Sequence, residues 1–231
     1  MIAAEPITHG RVIQLAAELF GQTLGLDFPG RVFLAGGVFK SLLHGHPPRD
    51  LDLWAPTTED RALLVEWLLR RRAVSLARHA YSDVFLLGGH ELEVPDEAGP
   101  DTLESRLRRF DLGLSAVGVE LSEGRLEGCI LPEAMESVRM RTVLLIKPLP
   151  NPKHILGTIA RARRYASELG WCVSVEDEAL AWSVFETASR GEQDKMLERY
   201  QKAAIQGWGV YEEANARRAR SAGVDGPAES G

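Results

Sequence analysis

Asp50 and Asp52 stand one residue apart near the end of the stretch LAGGVFKSLLHGHPPRDLDLW, residues 34–54. On a strand, side chains alternate between faces, so both carboxylates project to the same side. Like charges held that close repel, and one tends to keep its proton unless an opposite charge lies between them. A divalent cation meets that need. Mg²⁺ takes one or two protein carboxylates and leaves its other positions to water and substrate phosphates. Ahead of the pair, Gly36-Gly37 turns an apolar segment; glycine tolerates positive φ and lets backbone N–H groups approach phosphate oxygens where a helix begins. Lys40 and Arg49 add positive charge between the turn and the carboxylates. These residue types in this order suit a metal-phosphate site.

Several elements must hold these groups. Val12, Leu15, Ala16, Leu19 and Phe20 recur at helical spacing behind Thr8, which predicts an opening helix with a threonine cap. Arg31 to Ala35 reads as a short apolar strand, and Val38 to Leu43 as a second helix. Pro47-Pro48 ends it, because proline lacks an N–H and restricts the residue before it. A strand over Asp50 to Trp54 follows. Thr57 with Asp60 three residues on predicts a capped helix through Arg71. Ala73 to Ala77, Asp83 to Leu87 and Glu91 to Pro95 read as strands, Thr102 to Arg109 as a short helix, and Phe110 to Leu121 as one long strand that Gly113 and Gly118 allow to bend.

Beyond the proline-rich joint Leu149-Pro150-Asn151-Pro152 the composition turns helical. Ile155, Ile159, Ala162, Ala166 and Leu169 mark one face, Arg161, Arg164 and Glu168 another. Asp177 to Gln206 predicts one or two more helices, and the polar residues from Asn215 onward a disordered tail. The pattern is α+β with a mixed sheet: a first domain over 1–150, a small helical domain over 151–210, and a tail over 211–231.

Composition narrows the function. The chain has 231 residues, 45% hydrophobic and 26% charged, as expected of a globular protein with a real core. A formal net charge of -6 argues against non-specific coating of nucleic acid, which rests on bulk positive charge. Cys129 and Cys172 form no CxxC pair, so they read as reduced, small buried hydrophobes rather than zinc ligands. No leader-like or membrane-spanning run of 18 apolar residues stands out, and a cytoplasmic location is expected.

Gly36-Gly37 followed by Asp50-Leu51-Asp52-Leu53 resembles the signature of the DNA polymerase β-like nucleotidyltransferase superfamily. The nearest variant is that of bacterial poly(A) polymerases and CCA-adding enzymes, GGxVRDLLLG and then Pro-x-Asp-hydrophobic-Asp, written here as GGVFKSLLHGHPPRDLDLW. Lys40 and Ser41 stand where that family usually has Arg and Asp. Arg108-Arg109-Phe110-Asp111 is similar to the family's Arg-Arg and acidic residue ahead of an apolar strand. RARRYASELGW, residues 161–171, resembles the helix that follows the catalytic domain. The resemblance covers about residues 31–171.

It implies a nucleotidyltransferase-fold catalytic domain that moves a nucleoside monophosphate from an NTP to a hydroxyl on RNA, a protein or a small molecule. Asp50, Asp52 and Asp111 are the implied ligands of a two-Mg²⁺ site, with Glu93 competing with Asp111 for the third place. Gly36, Gly37, Lys40, Arg49, Arg161, Arg164 and Tyr165 are the implied nucleotide contacts. For the arginines of the later helix the competing reading is a solvated face paired with Glu168. A catalytically silent member of the same fold, of binding or toxin-antitoxin type, is the alternative function.

Overall fold

The computed structural model describes residues 7–79, 81–203 and 207–222. Its contacts divide the chain into two compact units, Met1–Met140 and Arg141–Gly231.

The first unit opens with α1 (His9–Gln22), whose Thr8 cap accepts the Arg11 N–H at 3.2 Å; the five apolar residues expected on its inner face are buried. Then come β1 (Arg31–Ala35), α2 (Gly37–Leu43), β2 (Leu51–Trp54) and α3 (Thr58–Arg70). Thr57 Oγ1 accepts the Asp60 N–H at 3.0 Å and donates to Asp60 Oδ2 at 2.8 Å, which makes the expected cap. The strands β3 (Val74–His79), β4 (Ser82–Leu87) and β5 (His90–Pro95), the short α4 (Leu103–Leu107), the hairpin β6 (Val117–Ser122) and β7 (Arg125–Ile130), and α5 (Pro132–Met140) complete it.

The seven strands form one mixed sheet in the order β3-β4-β5-β2-β1-β6-β7. β2 and β5 run parallel, and every other pairing is antiparallel. β1 is an interior strand, and Val32, Phe33, Leu34 and Ala35 are all buried, so it reads as a continuous apolar run instead of an alternating one. Val32 and Leu34 join Phe20 of α1, Leu24 and Phe28 of the segment after it, and Leu64 and Leu68 of α3 in one core cluster.

One expectation fails here. Phe110 to Leu121 is not a single strand: a 3-10 turn at Gly113–Ser115 precedes β6, which starts at Val117. Backbone groups in the turn are satisfied locally, with Ser115 N–H on Leu112 O at 3.0 Å and Ala116 N–H on Gly113 O at 2.8 Å. Gly113 also packs so tightly that a Cβ would lie 2.7 Å from Glu133 O. A glycine that admits close backbone approach therefore ends the ladder, and does not merely bend a strand that continues through it.

The second unit contains β8 (Thr142–Val143), a 3-10 turn at Pro152–His154, α6 (Ile155–Leu169), β9 (Cys172–Val173), α7 (Val175–Thr187), α8 (Arg190–Lys202) and α9 (Val210–Ala222). β8 and β9 pair in parallel. Asp177, in the first turn of α7, accepts the Leu145 N–H at 2.8 Å and lies 2.5 Å from Lys147 Nζ. The tail expected over 211–231 is helical as far as Ala222; residues 223–231 lie outside the described ones. Tertiary partners account for the change. Arg217 reaches Glu213 through Nε and Nη2 at 3.0 and 2.9 Å and Glu186 at 2.5 Å, and its guanidinium lies 4.5 Å from the Trp182 ring centroid. Charged residues that look solvated in sequence are thus held by opposite charges on α7 and α9.

Candidate functional site

β1 delivers the chain to Gly36, which takes φ +105° and ψ −145°. That region is open essentially to glycine alone. A Cβ there would meet Asp52 Oδ2 at 3.1 Å and the Phe110 ring at 3.6 Å, so the turn and the carboxylate are in contact. The register explains the meeting. β1 and β2 are antiparallel with Leu34 opposite Leu53, so the chain leaving β1 passes beside Asp52. Leu51 and Leu53 anchor one face of β2 in the core, while Asp52 and Trp54 lie half-exposed on the other. Asp50 sits just before the strand, and Arg49 grips its Oδ2 through Nε at 2.8 Å and Nη2 at 2.5 Å.

For a third carboxylate, the parallel register of β2 and β5 pairs Asp52 with Glu93. Partners in register on neighbouring strands project to the same face. Glu93 in turn accepts a 2.6 Å hydrogen bond from Ser82 Oγ. Asp111 is buried in the segment between α4 and the 3-10 turn, outside the strand pairing that carries Asp52 and Glu93. Among the described residues no three His, Cys, Asp or Glu side chains gather closely enough to hold a metal ion by themselves.

Lys40 lies half-buried on α2, where its carbonyl accepts the His44 Nδ1–H at 2.7 Å. Burial holds the His44 imidazole below its ordinary pKa and outweighs that hydrogen bond. Arg161, Arg164 and Tyr165 belong to α6 of the second unit. Tyr165 is buried there, Arg164 lies 5.4 Å from its ring centroid, and Arg164 Nε is 3.5 Å from Glu168, which is the pairing the plain helix reading anticipated. Cys129 is half-buried, and burial raises its thiol pKa; Cys172 is exposed, against the expectation of a buried hydrophobe, because it lies on the two-residue strand β9.

Sequence reasoning missed three residues. Trp54 follows Asp52 by two and shares its face. The Arg106 guanidinium stacks 4.1 Å from the Trp54 ring centroid, and Phe110 meets Trp54 edge-on at 6.0 Å. Arg106 is 4% exposed; burial, and after it neighbouring Arg109, push its pKa down to about 10. The available signal was spacing: Arg106 and Phe110 lie four apart, and Trp54 repeats the strand period of Asp50 and Asp52.

No protein-family model matches the sequence, and no curated protein matches it. Solved structures do. A CCA-adding enzyme complexed with CTP superposes at TM-score 0.58 with 15% identity over 94% of this chain and 54% of its own. The Thermotoga maritima CCA-adding enzyme complexed with tRNA gives 0.55 and 16% over 94% and 55%. A tRNA nucleotidyltransferase with a primer tRNA and an incoming ATP analogue gives 0.53 and 18% over 93% and 61%. The chain has the nucleotidyltransferase fold. It shares that fold with these enzymes over 93–94% of its own length and spans between 54 and 61% of theirs. The glycine turn follows β1, and the Asp-x-Asp segment leads into β2, its neighbour in the sheet.

Proposed function

We propose that the chain is a metal-dependent nucleotidyltransferase that moves a nucleoside monophosphate from an NTP to a hydroxyl acceptor, with RNA as the favoured acceptor class. The observation that carries the reading is the contact between Gly36 and Asp52, with Asp50 one step before it and Glu93 in register beside it. A strained glycine turn lying beside the Asp52 carboxylate suits a polyphosphate and its cation. The RNA preference leans on the neighbours whose structures hold tRNA.

The carboxylates fit Mg²⁺ of the kind that arrives with a nucleotide. Two aspartates suffice when phosphates and water supply the remaining oxygens, and no protein-only cage is needed. Asp50 and Asp52 would hold it, with Glu93 the third ligand that the sheet register favours over Asp111. Bound there, such an ion neutralises charge on the phosphates and lowers the pKa of an acceptor hydroxyl. The chain's own part is positioning. Gly36 lets the backbone turn run close beside Asp52, β2 fixes Asp52 by burying Leu51 and Leu53, and Ser82 holds Glu93. A rigid sheet then carries groups whose placement, more than any covalent step, accelerates phosphoryl transfer.

A second reading has one observation in its favour. Asp50 and Glu93 already have protein partners, Arg49 and Ser82, as in a binding protein of this fold that performs no transfer. Thermal melting with ATP, CTP, GTP or UTP, with and without Mg²⁺, separates the readings when the Asp50→Asn, Asp52→Asn double variant is run beside wild type. Ligand at about a hundred times Kd stabilises by about 2.7 kcal/mol. A Mg²⁺-dependent shift that the double variant loses, together with transfer of label from the same nucleotide to RNA, supports the enzyme. A shift that is Mg²⁺-independent and survives in the double variant, without transfer, supports the silent binder.

A further inference from the structure

Arg106 is a cation in a place that costs energy to occupy. Its Nε and Nη2 atoms are enclosed and meet no acceptor among the described residues, and the same holds for Nε1 of Trp54, on whose ring it is stacked. Buried donors are nearly always paired, and leaving one unpaired is costly, more so for a charged group. Nε and Nη2 form the side fork of the guanidinium. Elsewhere in this chain that fork closes on an acid: Arg49 on Asp50, Arg108 on Glu104 at 3.1 and 2.9 Å, and Arg217 on Glu213. At Arg106 the carboxylate whose charge it feels, Glu97, is bonded to Arg109 Nη1 at 3.0 Å instead.

The cluster consists of donors only, and it borders the site already described. Phe110 meets the Trp54 ring edge-on and lies 3.6 Å from where a Cβ on Gly36 would sit, a position that also borders Asp52. A guanidinium fork matches planar or tetrahedral oxyanions two oxygens at a time. We propose that Arg106, with the indole N–H of Trp54, is a phosphate-binding position beside the Asp52 turn. Its fork takes two oxygens of one phosphate group and Trp54 donates to a third acceptor. The nucleotide source for that phosphate rests on the nucleotidyltransferase reading; the donor cluster itself does not. Free polyphosphate and the phosphodiesters of an acceptor strand offer the same chemistry.

The test is calorimetric titration of the full chain with inorganic tripolyphosphate in the absence of metal, and in parallel with Mg²⁺-NTP and with a short oligoribonucleotide. Arg106→Lys keeps the charge but loses the fork, Arg106→Met keeps the volume, and Trp54→Phe keeps the ring but loses the donor. Wild type is expected to bind tripolyphosphate, each Arg106 variant about tenfold more weakly, and Trp54→Phe about threefold more weakly. Without ligand, Arg106→Met is expected to melt at or above wild type, since an uncompensated buried charge has been removed. A purely structural arginine would give the opposite melt.

Equal binding of all phosphate probes by wild type and every Arg106 variant overturns the proposal, as does failure of wild type to bind any probe. Should Arg106→Met fail to fold, Arg106→Lys and Trp54→Phe decide alone. Arg106-dependent binding of the oligoribonucleotide only would keep the site and assign it to strand phosphates. The two readings fail separately. Tripolyphosphate binding that needs Arg106 while no NTP binds leaves the phosphate site standing and removes the transferase. Mg²⁺-NTP binding that needs the aspartates but ignores Arg106 does the reverse.

Discussion

Replacing Gly36 by alanine tests the turn at its narrowest point. The backbone sits at φ +105° and ψ −145°, where an L side chain costs of order 1–3 kcal/mol. The new Cβ would also lie 3.1 Å from Asp52 Oδ2, so the carboxylate must yield by a few tenths of an ångström. Pushing that side chain off its rotamer adds about 0.5–1.5 kcal/mol. Together the loss is about 2–4 kcal/mol, roughly 8–16 °C on the melting transition of the first unit at about 4 °C per kcal/mol for a domain of this size. Gly157, inside α6 with ordinary helical φ and open space within 4 Å of where a methyl would sit, is the control: alanine there should gain about 0.5–1 kcal/mol. Calorimetric melts of both variants, repeated with Mg²⁺ and the stabilising nucleotide, give the answer. A Gly36→Ala protein that melts within about 2 °C of wild type would refute the strain argument. One that melts low but keeps its full nucleotide-dependent shift would show the turn to be structural and detached from the site.

Three further outcomes follow from the geometry. Asp177→Ala removes a carboxylate that is almost fully enclosed and strands the Leu145 N–H; a loss of about 1–3 kcal/mol is expected, read by urea unfolding of the second unit. Glu213 is raised by burial but lowered further by hydrogen bonds from Arg163 and Arg217, so its pKa falls below the ordinary 4.5. A group depressed in the folded state contributes stability that is present above its unfolded value and lost as pH falls through the folded one, so wild type should weaken below pH 4.5 along a limb that Glu213→Gln flattens. Arg49→Ala should change stability by less than about 0.5 kcal/mol, because the Arg49 side chain is 78% exposed and its pair with Asp50 is screened on that side, and a larger effect in denaturant melts would contradict that.

Much of the first unit is legible in the sequence alone, and the reasons are specific. The threonine caps at Thr8 and Thr57 and the alternation of β2 are local devices, readable from a few residues because the hydrogen bonds that enforce them are local too. The Gly36–Asp52 contact is legible as well, through the pairing of a glycine turn with an Asp-x-Asp strand. What escapes is set by partners distant in sequence. The 3-10 turn at Gly113 depends on Glu133 of α5, and α9 depends on Glu186 and Asp194, so neither end of those segments can be read in isolation. Arg106 escapes for the same reason, since its significance lies in Trp54, more than fifty residues earlier.

The proposal of Glu93 in place of Asp111 rests on topology, not on spacing. Both precede or follow apolar runs, and the sequence resemblance puts Asp111 first with Glu93 as its rival. The parallel pairing of β2 with β5, however, brings residue 93 into register with residue 52, and in a parallel ladder partners share a face whatever their separation along the chain. That geometry also sets a condition on how the site works. Asp52 and Glu93 share a face, Arg49 pairs with Asp50 and Ser82 with Glu93, and among the described residues the carboxylates are not drawn to one point. A cation that came alone would have to displace Arg49 and gather the carboxylates with little help. One that came already bound to a triphosphate would bring most of its oxygens with it, and would need only Asp50 and Asp52 from the protein. Metal affinity should therefore be weak by itself and rise steeply with nucleotide; tight Mn²⁺ binding in calorimetry without any nucleotide would be incompatible with this order of assembly.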